Sequence, residues 1–144
     1  MKKFILIWAV VLMMLIPLTG MGDTTYGGRS TGRFKVVTGT WTSNGSGVAT
    51  VTFAAADVAG WTLKQVKCIP GAGVSASYGL TLTDAAGGDV VGGAGAGRTN
   101  ATTGDYFYPF VDKSYGPVDL YSGLTGNVSA AGASVSGTIM LFLE

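Results

Sequence analysis

Six aspartates, Asp57, Asp84, Asp89, Asp105, Asp112 and Asp119, are the side chains of this sequence with the most obvious capacity for chemistry. Hydrolysis by paired carboxylates needs two of them to converge on one bond. Each instead falls in or beside a turn signal, where aspartate bonds its own backbone. The single glutamate is Glu144, and there is no histidine. That removes the usual general base, the commonest metal ligand and any Ser-His-Asp triad. Asp84 and Asp89 flank a Gly-rich turn and could share a calcium ion with backbone carbonyls. Positions 85 to 88 hold only Ala and Gly, however, so the calcium-loop pattern is not met. The glycines of residues 92–97 resemble a dinucleotide-binding loop, yet the Arg98-Thr99-Asn100-Ala101 that follows is no helix to receive a phosphate. Cys68 is the only cysteine, so it has no disulfide partner within the chain. It ends an apolar run and is expected buried, as free cysteines usually are. The expectation is a protein without catalytic residues, cofactor or metal, and not an enzyme.

The aromatic residues carry more. Tyr106, Phe107, Tyr108 and Phe110 stand together, with Tyr115 and Tyr121 close behind. Such a run can anchor a protein interface or line a sugar-binding face, because aromatic rings bury large areas while losing few rotamers. In a strand, alternate members would instead turn into the core. Pro109 sits inside the run and suits an edge strand, since it cannot donate to a ladder.

Short β-like segments must position these residues. Residues 33–43 are rich in Val, Thr and aromatics; the Asn44-Gly45-Ser46-Gly47 turn and residues 48–53 follow, which predicts a hairpin. Residues 61–69 form the next strand. Residues 77–83 alternate with period two, placing Tyr78, Leu80 and Leu82 on one face. After an 84–88 turn and the Gly-rich stretch, residues 106–111 are expected as one aromatic strand and 118–121 as a short piece. Residues 134–144 close the series, with Ile139, Leu141 and Leu143 on one face and Met140 and Phe142 on the other. Tyr78, Leu80 and Leu82 should meet Ile139 and Leu141 in a common core. No later window of ten residues holds a helical period. The fold class is all-β, an antiparallel β-sandwich or jelly-roll-like domain over 33–144.

The first 22 residues differ in kind. Lys2 and Lys3 precede an apolar run from Phe4, and Gly20 and Gly22 stand ahead of Asp23. This is the layout of a signal peptide. Residues 4–21 are also just long enough to contact or span a membrane as a hydrophobic helix, so 1–22 is a signal peptide or membrane anchor. Residues 23–32 are polar and Gly-rich, a linker or extended arm. Removing residues 1–22 takes two lysines from the nine basic residues, leaving seven against eight acidic ones, or −1. A nearly neutral domain with scattered arginines has no footprint for nucleic acid. With only 12% charged residues it also has little to keep identical copies apart, so self-association is expected.

Five segments in order, Thr40 to Gly47 (TWTSNGSG), Ile69 to Gly73 (IPGAG), Tyr78 to Asp84 (YGLTLTD), Asp89 to Arg98 and Ser136 to Leu143 (SGTIMLFL), give the chain a recognisable outline. Through them it resembles a family of small β-proteins encoded among the virion genes of tailed phages and prophages, over residues 33–144. The resemblance implies a structural role in or on a virus particle, as a capsid decoration, spike or tail accessory subunit. The partners it implies are other copies or other virion proteins. An exported surface domain that self-assembles or binds glycans is the other function expected of such a chain.

Overall fold

The structure is a computed structural model that describes residues 34–144; the expected leader over 1–22 and arm over 23–32 lie outside the described residues. Ten strands and one helical turn succeed one another: β1 (Lys35–Thr42), β2 (Ala49–Phe53), α1 (Ala55–Val58), β3 (Thr62–Pro70), β4 (Gly79–Thr83), β5 (Asp105–Phe107), β6 (Phe110–Val111), β7 (Ser114–Tyr115), β8 (Val118–Asp119), β9 (Leu124–Ser129) and β10 (Ser136–Leu143). One sheet runs β1-β10-β3-β5, with β8 sharing the β5 side of β3; the second runs β2-β9-β4; β6 and β7 form a separate hairpin. Every pairing is antiparallel. The described residues therefore form an all-β fold, and their first five strands alternate between the two sheets.

Period-two patterning explains the core. Tyr78, Leu80 and Leu82 are buried in the same cluster as Ile139, Leu141 and Leu143, as their alternation predicts. On β3 the inward residues Leu63 and Val66 are three apart, which strict alternation forbids. A bulge reconciles them: Leu63 pairs with Leu143 and Gln65 with Phe142, leaving Lys64 unopposed. Gly126 of β9 sits at the centre of its sheet, between Val51 and Leu82. A Cβ on Gly126 would lie 2.7 Å from Cγ1 of Val51, its cross-strand neighbour, and 3.4 Å from Leu82 and, in the facing sheet, Ile139 methyl carbons, so the Val51 side chain occupies the space a larger residue would need.

Two expectations are corrected. The segments around the Asn44-Gly45 turn do not form a hairpin with each other. β1 pairs with β10 along its whole length, from Lys35 opposite Leu143 to Thr42 opposite Ser136, while β2 pairs with β9. The turn bonds to the segment before β10: Ser43 Oγ donates to the Gly132 carbonyl at 2.6 Å and accepts the Val135 N–H at 3.1 Å. Asn44 Oδ1 accepts the N–H groups of Ser46 and Val48, closing the turn on itself. The chain thus crosses from one sheet to the other, and the apolar sides of β1 and β2 face each other through the core. The second correction concerns 106–111, which is two strands. Past Tyr108-Pro109 the Phe110 N–H turns to the Val91 carbonyl at 3.0 Å, and β6 folds back into β7. Asp112 and Lys113 both have positive φ there, as a two-residue hairpin turn requires.

The Gly-rich stretch is tightly turned and held against β4. Val90 N–H donates to Leu82 O at 2.8 Å, Leu80 N–H to Gly95 O at 2.9 Å, and Arg98 N–H to Tyr78 O at 2.7 Å. The approach is so close that a Cβ on Gly95 would sit 2.0 Å from the Leu80 carbonyl oxygen. Gly95→Ala should therefore break the contact with β4 and lower stability by about 1–3 kcal/mol, the usual range for overpacking. Urea unfolding checks this, and a loss under about 0.5 kcal/mol would mean the segment is not seated on β4.

Candidate functional site

Two of the acidic side chains, Asp84 and Asp89, serve the backbone. Asp84 Oδ1 accepts the N–H groups of Ala86 and Gly88. Asp89 Oδ1 accepts those of Leu82 and Val91, and its Oδ2 that of Gly93. The two carboxylates that flank the 85–88 turn thus organise the turns on either side of them. Asp119 accepts the Thr62 hydroxyl at 2.7 Å, and Asp105 pairs with Arg98 at 3.0 Å. Among the described residues, no three His, Cys, Asp or Glu side chains gather as a metal site would require.

Cys68 is buried and free. It stands opposite Asp105 in the β3–β5 register and close to Tyr78, whose hydroxyl is buried without a hydrogen-bond partner. The thiol–phenol contact is accordingly a proximity, not a well-formed bond. Burial pushes the Cys68 thiol from 9.0 up to about 12, and the nearby Tyr78 hydroxyl and Arg98 guanidinium pull it back only in part. Burial, then the neighbouring Cys68, raise the Tyr78 phenol as well. A thiol held protonated is a poor nucleophile, so this pair belongs to the core.

The aromatic run divides as alternation demands. Phe107 is 6% exposed and packs in the core, with the Arg98 guanidinium 4.8 Å over its ring. Tyr106 and Tyr108, on the other side, are 50% and 53% exposed, and Phe110 is exposed beyond the break. Of the four residues, three therefore reach the surface. Tyr106 lies opposite Lys67 in the ladder, which places the Lys67 ammonium 4.7 Å from the ring centre. The Tyr106 ring also meets Phe142 at 6.1 Å, and Phe142 meets Phe34 at 6.1 Å, a row of rings across the outer face of the larger sheet. Phe110 packs on Tyr115 at 4.9 Å across the β6–β7 hairpin. Tyr121 stands 87% exposed after β8.

Phe34 and Phe142 were not among the candidates, although the last strand's alternation already sets Phe142 opposite the core-facing Ile139 and Leu141. What the arrangement offers is ring faces, phenolic hydroxyls and one cation. Such groups are suited to apolar and cation–π contact. Compared with known proteins, the chain matches no family model, no curated protein and no solved structure.

Proposed function

We propose that this chain is a non-enzymatic structural subunit of a virus particle, a capsid decoration, spike or tail accessory protein built on a jelly roll. The observation that carries the reading is the strand order. Sheets ordered β1-β10-β3-β5 and β2-β9-β4, with residues 89–98 along the free edge of β4, follow the path of an eight-stranded jelly roll. In that path the Gly-rich segment takes the place of the eighth strand. Jelly rolls recur in viral coat and lectin domains. A fold hosts many functions, and strand order supports this role by analogy with those coat domains. The exposed aromatics supply the docking surface such a subunit needs, and residues 1–22 fit as its signal peptide or membrane anchor.

Particles released from cells that carry the gene, banded on a density gradient, should contain this chain at a fixed copy number. Tyr108→Asp should reduce that copy number about tenfold or more, since a central aromatic anchor is worth about 2 kcal/mol. Its melting temperature should fall by no more than a few degrees, because Tyr108 is half exposed at 53%. Absence of the chain from the particles, with free protein in the medium, would overturn the reading. The aromatic surface favours one second reading, an exported domain that binds glycans, and that result would bring it forward.

A further inference from the structure

One side of the domain carries two open strand edges. Among the described residues β1 has a single strand neighbour, β10, and β2 has a single one, β9. The two edges lie one above the other, because a Cβ on Gly39 of β1 would come 2.6 Å from Val51 and 2.9 Å from Phe53 of β2. The opposite side is closed differently: β5 and β8 cover β3, and residues 89–98 cover β4.

Edge strands invite pairing with other chains, and proteins guard them with charges, prolines or bulges. These two lack prolines and bulges. β1 pairs with β10 over eight residues without a register shift, and neither strand contains proline. The one charged residue in either strand is Lys35. Its ammonium donates to the Asp57 carbonyl at 2.5 Å and lies 5.5 Å from the Trp61 ring centre, drawn over the end of the domain. Thr40, Thr42, Thr50 and Thr52 are the exposed residues of the two strands, with Val36 and Thr38 half-exposed beside them on the outer face of β1.

We propose that these edges form a homotypic interface. A second copy of this chain, related by a two-fold axis, sets its β1 antiparallel to β1 and its β2 beside β2, so both sheets continue through the dimer. An identical edge is the natural occupant: threonine meets threonine on the outer faces, a favourable cross-strand pair, and no like charges oppose. Size agrees as well. Eight residues span about 26 Å, and two sheets ~10 Å apart with their side chains make the side roughly 20 Å wide. That is about 500 Å² on each copy and about 1,000 Å² in all, near the lower bound for a specific interface. The inference is independent of the particle role above.

Sedimentation of the full chain at tens of micromolar should show a dimer. Thr40→Lys combined with Thr50→Lys should give a monomer with unchanged circular dichroism, while Thr81→Lys, exposed on β4, should remain dimeric. Hydrogen exchange needs no variant: β1 amides that point away from β10 should be protected in the dimer and lose at least tenfold protection on dilution. A monomer whose β1 amides exchange freely would overturn the proposal. So would protection that ignores dilution, which would mean the chain's own residues 23–33 cover the edge. A dimer that survives both lysines would also overturn it and move the contact to the aromatic surface.

Discussion

Leu82→Ala should lower the free energy of unfolding by about 2–5 kcal/mol, the range for truncating a fully buried leucine. Leu82 is 0% exposed, and its strand is pinned on both sides. β9 pairs with it on one edge, and the Gly-rich segment bonds it on the other. Gly126, directly opposite Leu82 in the ladder, has no side chain to move into the space. The site is thus poorly able to collapse, and the loss belongs in the upper part of that range. Against a total of about 5–15 kcal/mol for a domain, such a change leaves a much weakened fold. Urea unfolding is the measurement, with Thr81→Ala as an outward-facing control. A loss under about 1 kcal/mol at Leu82 would place it outside the core.

Alkaline pH should destabilise the domain through the Cys68–Tyr78 pair. Burial raises both acids in the folded chain, Cys68 from 9.0 to about 12. Between those values the unfolded chain has released a proton that the folded chain still holds. Stability is fully present below pH 9 and falls as the pH climbs towards 12. Three pH units correspond to about 4 kcal/mol for Cys68 as an upper bound. Chemical unfolding at a series of pH values should show the decline, and Cys68→Ala should flatten it. The native thiol should also resist thiol reagents at pH 8 and react once the chain unfolds. A stability unchanged from pH 8 to 11 would mean the thiol is open to solvent.

The strands that could be read from the residues are those whose inward positions hold large apolar side chains. β4 and β10 are of this kind, with Leu80 and Leu82, and with Ile139, Leu141 and Leu143. β9 is central to its sheet yet went unread, because its inward series is Leu124, Gly126, Val128 and a glycine erases the pattern at its midpoint. The wrong hairpin between β1 and β2 has a different cause. An Asn-Gly turn between two strands is a local signal, whereas the bonds from Ser43 to Gly132 and Val135 are 89 and 92 residues away in sequence. The aromatic surface was half legible. Alternation separates Phe107 from Tyr106 and Tyr108, but the rings of Phe34 and Phe142 join Tyr106 only through strand order, which no local window contains.

The pairing of β1 with β10 sets a condition on how this domain comes into being. Lys35 lies opposite Leu143, so the first described strand waits for the last before it has a neighbour. Contacts of such long sequence separation must close a large loop before they return any stabilisation, which makes folding slow. On a ribosome, β1 and the apolar half of β2 would emerge and remain unpaired until nearly all of the domain had been synthesised. During that interval the nascent chain exposes the segments most prone to stick to others, and it depends on holding factors or on rapid delivery. A protein arranged in this way is, in effect, finished all at once.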